Sequence, residues 1–513
     1  MRPYSSQGFR RDRVPSPSRN NENRHLDSRG PSQGGLISDE KIRLAFLILL
    51  ASTIFLAKLG QNGMANFDDC FYAQKAKEMF VSGNWQVQTF NHVVQFGNAP
   101  LYIWLVALSY KVFGITVFAA KFPSAIMGLA LVLLTYFMGK FLFNSWTGFA
   151  AGVILSTTYT FFKYARHCML DVTLAFFCTL ALFAFVLAMR KDRRYFWLWG
   201  LALGLAFLTK SALGLFPLIV TILFLLVDRQ WKVLTWIPFW GGLVVEASIV
   251  LWWCWSQYHT DAPKFIEEHI RGVILEKFYM GEAPPWYQHF SFLVDMVTFN
   301  WLWFLPMGFG LWRLARKIHT NHSTALFLLL WCLTLPLFMS LVRYRMPWYL
   351  IQVFPAFALA AAMALSEVFP EYTRDKWTKG FMAAGTVLVL LVNLQPFPLD
   401  RDRERDTRIV APYVKHFAEK GVKVIALRDD FYGLNNSLLF FSDHAAQPLY
   451  PQVAQVAREF ESAAPVICVA HRSDLAEIKS GVKEWYPVKY AEDLVLIANQ
   501  KLDASDVQTD ILN

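Results

Sequence analysis

Long apolar runs dominate this chain and constrain its fold more than any other feature. Ile42–Gly60, Phe118–Phe143, Met169–Met189 and Val233–Trp255 carry few charges, most of them near the ends of the runs. Each approaches or exceeds the roughly 18–20 residues that a helix needs to cross a bilayer. Lipid offers no partner to a bare amide or carbonyl, so such runs cross as helices. Composition agrees, since 17% of the residues are charged, against about a quarter in soluble proteins. The expected fold class is an all-α polytopic membrane protein of about 11–13 transmembrane helices, with a small extramembrane α/β domain at the C-terminus.

The formal net charge of +10 is unevenly spread. Arg2, Arg10, Arg11, Arg13, Arg19, Arg24 and Arg29 lie among Ser, Pro, Asn and Gly. Residues 1–41 therefore lack the apolar content for a core and read as a disordered basic tail. Their place just before the first apolar run fits a cytoplasmic anchor beside anionic lipid, with no nucleic-acid partner. No small-residue cleavage site stands out after Gly60, so the first helix is expected to be retained. The six cysteines show no paired metal spacing and read as small apolar residues within helices.

Short loops rich in Lys and Arg stay on the cytoplasmic side. Four stand out: Arg190–Arg194, Asp228–Lys232, Arg313–Lys317 and Glu371–Lys379. Threading the chain from a cytoplasmic N-terminus puts all four inside if the spans are 42–60, 117–142, 146–163, 168–189, 195–209, 211–227, 233–256, 290–312, 324–342, 348–368 and 379–397. The apolar stretch 99–114 must then lie at the interface without crossing. Residues 42–397 form the transmembrane unit, with outer loops 61–98 and 257–289. Residues 398–513 form the outer domain, where Val422–Leu427, Pro465–Ala470 and Asp493–Ala498 read as strands.

Ionisable groups near the bilayer mark function more often than elsewhere. Arg166, Lys210, Arg343 and Arg345 fall in short outer connections, where cations run against the orientation bias. Asp171 follows Arg166 at the outer end of its span, and Asp68 and Asp69 open the stretch after the first crossing. Carboxylates beside cations in one outer cavity suit a phosphate ligand and general-base activation of a hydroxyl. The structural alternative is a set of salt bridges, or side chains reaching to headgroups. Trp85, Trp286, Tyr287, Trp348 and Tyr349 fit an interfacial aromatic belt. Gly200 and Gly204 form a small-xxx-small pair suited to close helix packing.

The run Asn66–Trp85, NFDDCFYAQKAKEMFVSGNW, resembles the first outer loop of GT-C type membrane glycosyltransferases, nearest the protein O-mannosyltransferase and lipid A aminoarabinose transferase group. Pro100–Trp104 (PLYIW), Tyr164–Asp171 (YARHCMLD), Gly204–Ser211 (GLAFLTKS), Glu268–Ile270 (EHI) and Arg343–Leu350 (RYRMPWYL) follow in order, so the resemblance spans roughly residues 45–365. It implies a sugar donor on a polyprenyl phosphate and an acceptor hydroxyl on a lipid, glycan or protein. Asp68 matches the catalytic acid that takes the acceptor proton, and a single displacement inverts the anomeric carbon. Asp69 matches the second acid of the pair, and Asp171 the acid of the second outer connection. Lys210 and Arg345 match basic positions suited to the lipid phosphate, and Tyr349 joins the substrate-binding set.

Where relatives carry an acid and a Lys before the proline, this chain has Gly97, Asn98, Ala99 and Pro100. One cation is thus missing, with Arg166 or Arg343 as replacements. No cofactor is required by the sequence. The resemblance leaves room for a divalent metal at His269, although the partner position is Gly97. The competing class is a transporter or flippase of a lipid-linked sugar, but no internal repeat is visible and the acids lie at span ends. A scaffold built around the C-terminal domain leaves the outer cations unexplained. The expected location is a bacterial inner membrane.

Overall fold

A computed structural model describes residues 39–61, 63–64, 66–275, 294, 296–298, 300–320, 322–341, 346–395, 404–428 and 434–507. Arg343, Arg345, Trp286, Tyr287 and nearly all of the basic tail fall outside the described residues.

The N-terminal three-quarters is a helical bundle. Its first ten helices are α1 (Asp39–Leu56), α2 (Phe71–Ser82), α3 (Leu101–Phe113), α4 (Val117–Leu142), α5 (Ser145–Ser156), α6 (Tyr159–Ala165), α7 (Leu170–Arg190), α8 (Tyr195–Lys210), α9 (Phe216–Val227) and α10 (Ile237–Thr260). Helices Trp301–Lys317, His322–Leu341, Phe354–Val368 and Glu371–Leu394 follow. Seven described stretches are long and apolar enough to cross a membrane: Val117–Leu142, Leu170–Arg190, Tyr195–Val227, Ile237–Thr260, His322–Ser340, Trp348–Val368 and Glu371–Leu394. The chain is a multi-pass membrane protein.

Tyr195–Val227 is itself a hairpin of two spans, α8 and α9. Ser211 takes a positive φ of 43°, and a Cβ on Gly214 would stand 2.3 Å from the Ala206 carbonyl oxygen, so the chain folds straight back. Both ends of the hairpin then return to one level: Arg190 donates to Thr324 Oγ1 and Ser323 donates to Asp228. Gly200 lets α8 meet α10 backbone to backbone, since a Cβ there would clash with the Gly242 carbonyl.

Side-chain contacts likewise distinguish the two ends of the bundle. Glu40 pairs with Lys140, Glu367 with Arg313 and Lys317, and Arg374 Nη2 donates to the Ser366 carbonyl. The short basic connections therefore gather at one end. At the other end Trp303 Nε1 donates to Thr157, the Asn300 amide oxygen accepts from the Thr160 N–H, and Lys58 reaches the Gln395 carbonyl. Helix α3 packs against α2 and α4 at this second end. Its 13 residues span about 20 Å at 1.5 Å per residue, short of the roughly 30 Å hydrocarbon core.

Strands β1 (Thr89–Phe90) and β2 (Val93–Val94) pair as a small antiparallel hairpin between α2 and α3. The C-terminal unit is a five-stranded sheet in the order β4-β3-β5-β7-β6, made of β3 (Lys423–Leu427), β4 (Leu449–Tyr450), β5 (Val466–His471), β6 (Tyr486–Tyr490) and β7 (Leu494–Ala498). The β3–β4 and β3–β5 pairs are parallel, whereas β5–β7 and β6–β7 are antiparallel. Alternate side chains of β3, β5 and β7 divide between two cores, as strand geometry requires. Ile425, Leu427, Cys468 and Ile497 pack under helices Val453–Phe460 and Leu475–Gly481. Val424, Ala426, Ile467 and Leu496 face helix Arg405–Glu419, and that core runs on into Tyr72, Ala73, Ala76 and Met79 of α2.

Candidate functional site

The described candidate residues Asp68, Asp69, Asp171 and Lys210 lie at the end of the bundle away from the basic connections. The first acids are lifted there by a five-residue π turn, Asn66–Cys70, which presents Asp68 and Asp69 just before α2. Helix α2 ends on Gly83, whose left-handed φ of 71° lets its N–H close on the Met79 carbonyl. Asp69 is 2% exposed and its Oδ2 is 2.8 Å from His167 Nδ1, on the connection between α6 and α7.

Two helix ends meet beside this pair. Asp171 occupies the first turn of α7, where the helix dipole favours a negative charge, and Lys210 ends α8, where it favours a positive one. Lys210 Nζ donates to Asp171 Oδ1 at 2.6 Å and stands 4.2 Å from the centre of the Tyr349 ring. Ser211 follows, with a backbone conformation that only a tight reversal justifies.

Asp68, Phe71, Tyr72, Asn98, Lys210, Glu268, Trp348 and Tyr349 are among the groups lining one cavity of about 460 Å³. Burial, with the Asp68 charge adding to it, holds the Tyr72 hydroxyl well above its ordinary pKa, so it stays neutral. A carboxylate and an ammonium facing one cavity, beside aromatic faces, can activate a hydroxyl, hold an anion and stack against a sugar ring.

The residues singled out from sequence fare unequally. Asp68, Lys210 and Tyr349 line the cavity, while Asp69 and Asp171 stand behind its wall as buried partners of His167 and Lys210. Arg166 does not line this cavity. It is fully buried away from the cavity, and its Nη1 donates to the carbonyls of Ile54, Phe55 and Ala57. A helix end leaves carbonyls unsatisfied, and the guanidinium satisfies those of α1.

His269 is enclosed at 1% exposure between the rings of Phe265 and Trp253. Its Nδ1 donates to the Phe96 carbonyl at 2.8 Å, which directs Nε2 to the Ser211 hydroxyl at 2.9 Å. Both ring nitrogens are thus engaged, and position 97 has no side chain. Among the described residues no three His, Cys, Asp or Glu side chains gather as metal ligands. The described residues do not fit a metal at this position.

Glu268, Asn98, Gln95 and Phe71 line the cavity without having been singled out, and His167 and Ser211 hold its acids and loops in place. The signal available was the packing of His167 and Ser211 into the same short motifs as Asp171 and Lys210.

Residues 97–255 match the family described as dolichyl-phosphate-mannose-protein mannosyltransferase. The undecaprenyl phosphate-alpha-4-amino-4-deoxy-L-arabinose arabinosyl transferase of Pseudomonas savastanoi pv. phaseolicola is 32% identical over 335 residues, covering 62% of this chain and 61% of that one. A Pseudomonas fluorescens protein of the same name, numbered 2, is 28% identical over 375 residues, covering 70% and 66%. The chain thus spans just under two thirds of the length of these curated relatives. The crystal structure of ArnT from Cupriavidus metallidurans bound to undecaprenyl phosphate superposes with a TM-score of 0.71 at 17% identity, covering 91% of this chain and 99% of that one. The fold is therefore the GT-C type fold that the sequence motifs imply.

Proposed function

We propose that this chain transfers a sugar from a polyprenyl-phosphate donor to an acceptor hydroxyl, with inversion at the anomeric carbon. One observation carries the reading: Asp68 and the Asp171-bound Lys210 face the same cavity at one end of a membrane-embedded bundle. The likeness to the arabinosyl transferases and to the ArnT fold supports the donor class.

In this reading Asp68 accepts the proton of the acceptor hydroxyl as its oxygen attacks the anomeric carbon. The bond from that carbon to the phosphate oxygen breaks, and the lipid phosphate leaves with the electron pair. Lys210 faces the negative charge of the leaving phosphate, with Asp171 fixing the ammonium and Tyr349 covering one side of it. Arg343 and Arg345 belong to the same donor site by their motif. Asp69 and His167 hold the turn that aims Asp68. The acceptor is a lipid, a glycan or a protein.

The gathering of basic connections at the opposite end supports a non-cytoplasmic cavity, and the bacterial relatives support an inner membrane. The domains are then a cytoplasmic tail over 1–41, a transmembrane catalytic unit over 42–397 and an outer domain over 398–513.

The test uses purified protein in lipid, a panel of radiolabelled polyprenyl-phosphate sugars and a membrane extract as acceptor. Wild type should move label to a new product, and Asp68→Asn should lower that rate by about a hundredfold or more while remaining folded. Full activity in Asp68→Asn would remove Asp68 from the chemistry. Label that stays on the lipid but becomes accessible across the bilayer with both proteins would instead mark a flippase.

A further inference from the structure

Helix α2 carries a charge that the chemistry above leaves unused. Lys75 lies one turn beyond Phe71 and is fully enclosed. Its Nζ donates to Asn98 Oδ1 at 2.8 Å and stands 4.4 Å from the centre of the Phe71 ring. Phe71 and Asn98 both line the cavity that holds Asp68. Burial pulls the Lys75 pKa down to about 7, although Glu268 and Glu78 push it the other way. Among the described residues no carboxylate forms an ion pair with this ammonium. An enclosed ammonium without a paired anion is costly, and an anion in the cavity would offset that cost.

The loop in front of Lys75 is pinned from several sides. Glu268 Oε2 accepts the Phe96 N–H at 2.7 Å, His269 Nδ1 donates to the Phe96 carbonyl, and Gln88 Nε2 donates to the Asn98 carbonyl at 3.0 Å. A Cβ on Gly97 would meet no atom within 4 Å, so the loop leaves open space beside Asn98. An ammonium can only donate, so it selects the amide oxygen of Asn98 and turns the NH2 of that planar amide away from itself.

The geometry points to Lys75 as a positioning residue of the donor site, holding Asn98 so that its amide NH2 donates to the phosphate oxygens of the lipid-linked sugar. Phosphate oxygens only accept hydrogen bonds, so a fixed NH2 suits them and a flipped amide does not. The ammonium adds positive charge from behind the wall. This inference rests on the polyprenyl-phosphate reading above.

The experiment measures binding of a polyprenyl monophosphate, and separately KM and kcat for the sugar donor, with the full chain in lipid. Lys75→Met and Asn98→Ala should each weaken binding and raise donor KM by about tenfold, equivalent to about 1.4 kcal/mol, with little change in kcat. Lys75→Arg should recover most of the loss. Asn98→Asp, which places a carboxylate where the NH2 stood, should bind more weakly than Asn98→Ala. Wild-type donor KM should rise as the ammonium loses its proton between about pH 6 and pH 8. Lys75→Met should lack that rise although Glu78 and Glu268 remain in place. Should Lys75→Met fail to fold, the Asn98 pair carries the test. Unchanged binding and KM across the variants would overturn the Lys75 role alone. A wild type that binds no polyprenyl phosphate would overturn the donor reading as well.

Discussion

Arg166 shows what a single residue can and cannot announce. From the sequence it is a cation where cations are rare, and in the fold it donates to three carbonyls at the end of α1. Arg166→Met should therefore cost stability, by about 2–4 kcal/mol for a buried charged hydrogen-bond network, and lower the thermal midpoint while donor KM stays put. A raised KM with unchanged stability would return Arg166 to the substrate. Asp68, Lys210 and Tyr349, singled out from the sequence by charge and aromatic placement at span ends, come together at one cavity. The sequence left Lys75 unmarked, and marked Asn98 only as a departure from the motif, because 23 positions separate them and Lys75 sits on a helix that reads as an ordinary amphipathic one. Arg166 and Lys210 obey the same rule of rarity; only the fold reveals which one faces a helix end and which a cavity.

At the scale of elements, α2 is the hinge between chemistry and support. One of its faces carries Phe71 and Tyr72 to the cavity, and its core contacts continue into the C-terminal sheet unit. Lys77 fixes that union. Its Nζ pairs with Asp443 at 2.5 Å and donates to the Phe440 carbonyl at 2.9 Å, and Lys415 also reaches Asp443 at 3.2 Å. Asp443→Asn leaves the largely buried Lys77 without its counter-charge and should loosen the interface by about 1–2 kcal/mol, below the full buried-pair cost because Asp443 is partly exposed. Faster amide exchange across residues 66–82, beside the acid pair, would register the loosening. Exchange unchanged there would make the C-terminal unit a passive appendage. The three strands were legible from their short apolar runs, and the seven long apolar stretches from length and charge. The π turns at Asn66–Cys70 and Ile266–Leu275 were not, since nothing in local spacing separates an i+5 turn from an ordinary helical one.

For the whole molecule, one arrangement ties topology to chemistry. Basic connections collect at one end of the bundle and the acid-lined cavity at the other, as the contacts of Glu40, Arg190, Asp228 and Glu367 require. In the proposed orientation the charge rule for membrane proteins acts on the first set, and the cavity residues follow without contributing to it. Asn84 and Asp192 report the two ends, both being exposed, the first just past α2 and the second in the Arg190–Arg194 connection. Single Asn84→Cys and Asp192→Cys variants in intact cells should then divide cleanly: a membrane-impermeant maleimide labels position 84 and reaches 192 only after the membrane is opened. The native cysteines add little background, since five are buried and Cys254 is half-buried. The reverse labelling would turn the cavity to the cytoplasm, where the same acids and cations would have to meet a donor from the opposite leaflet.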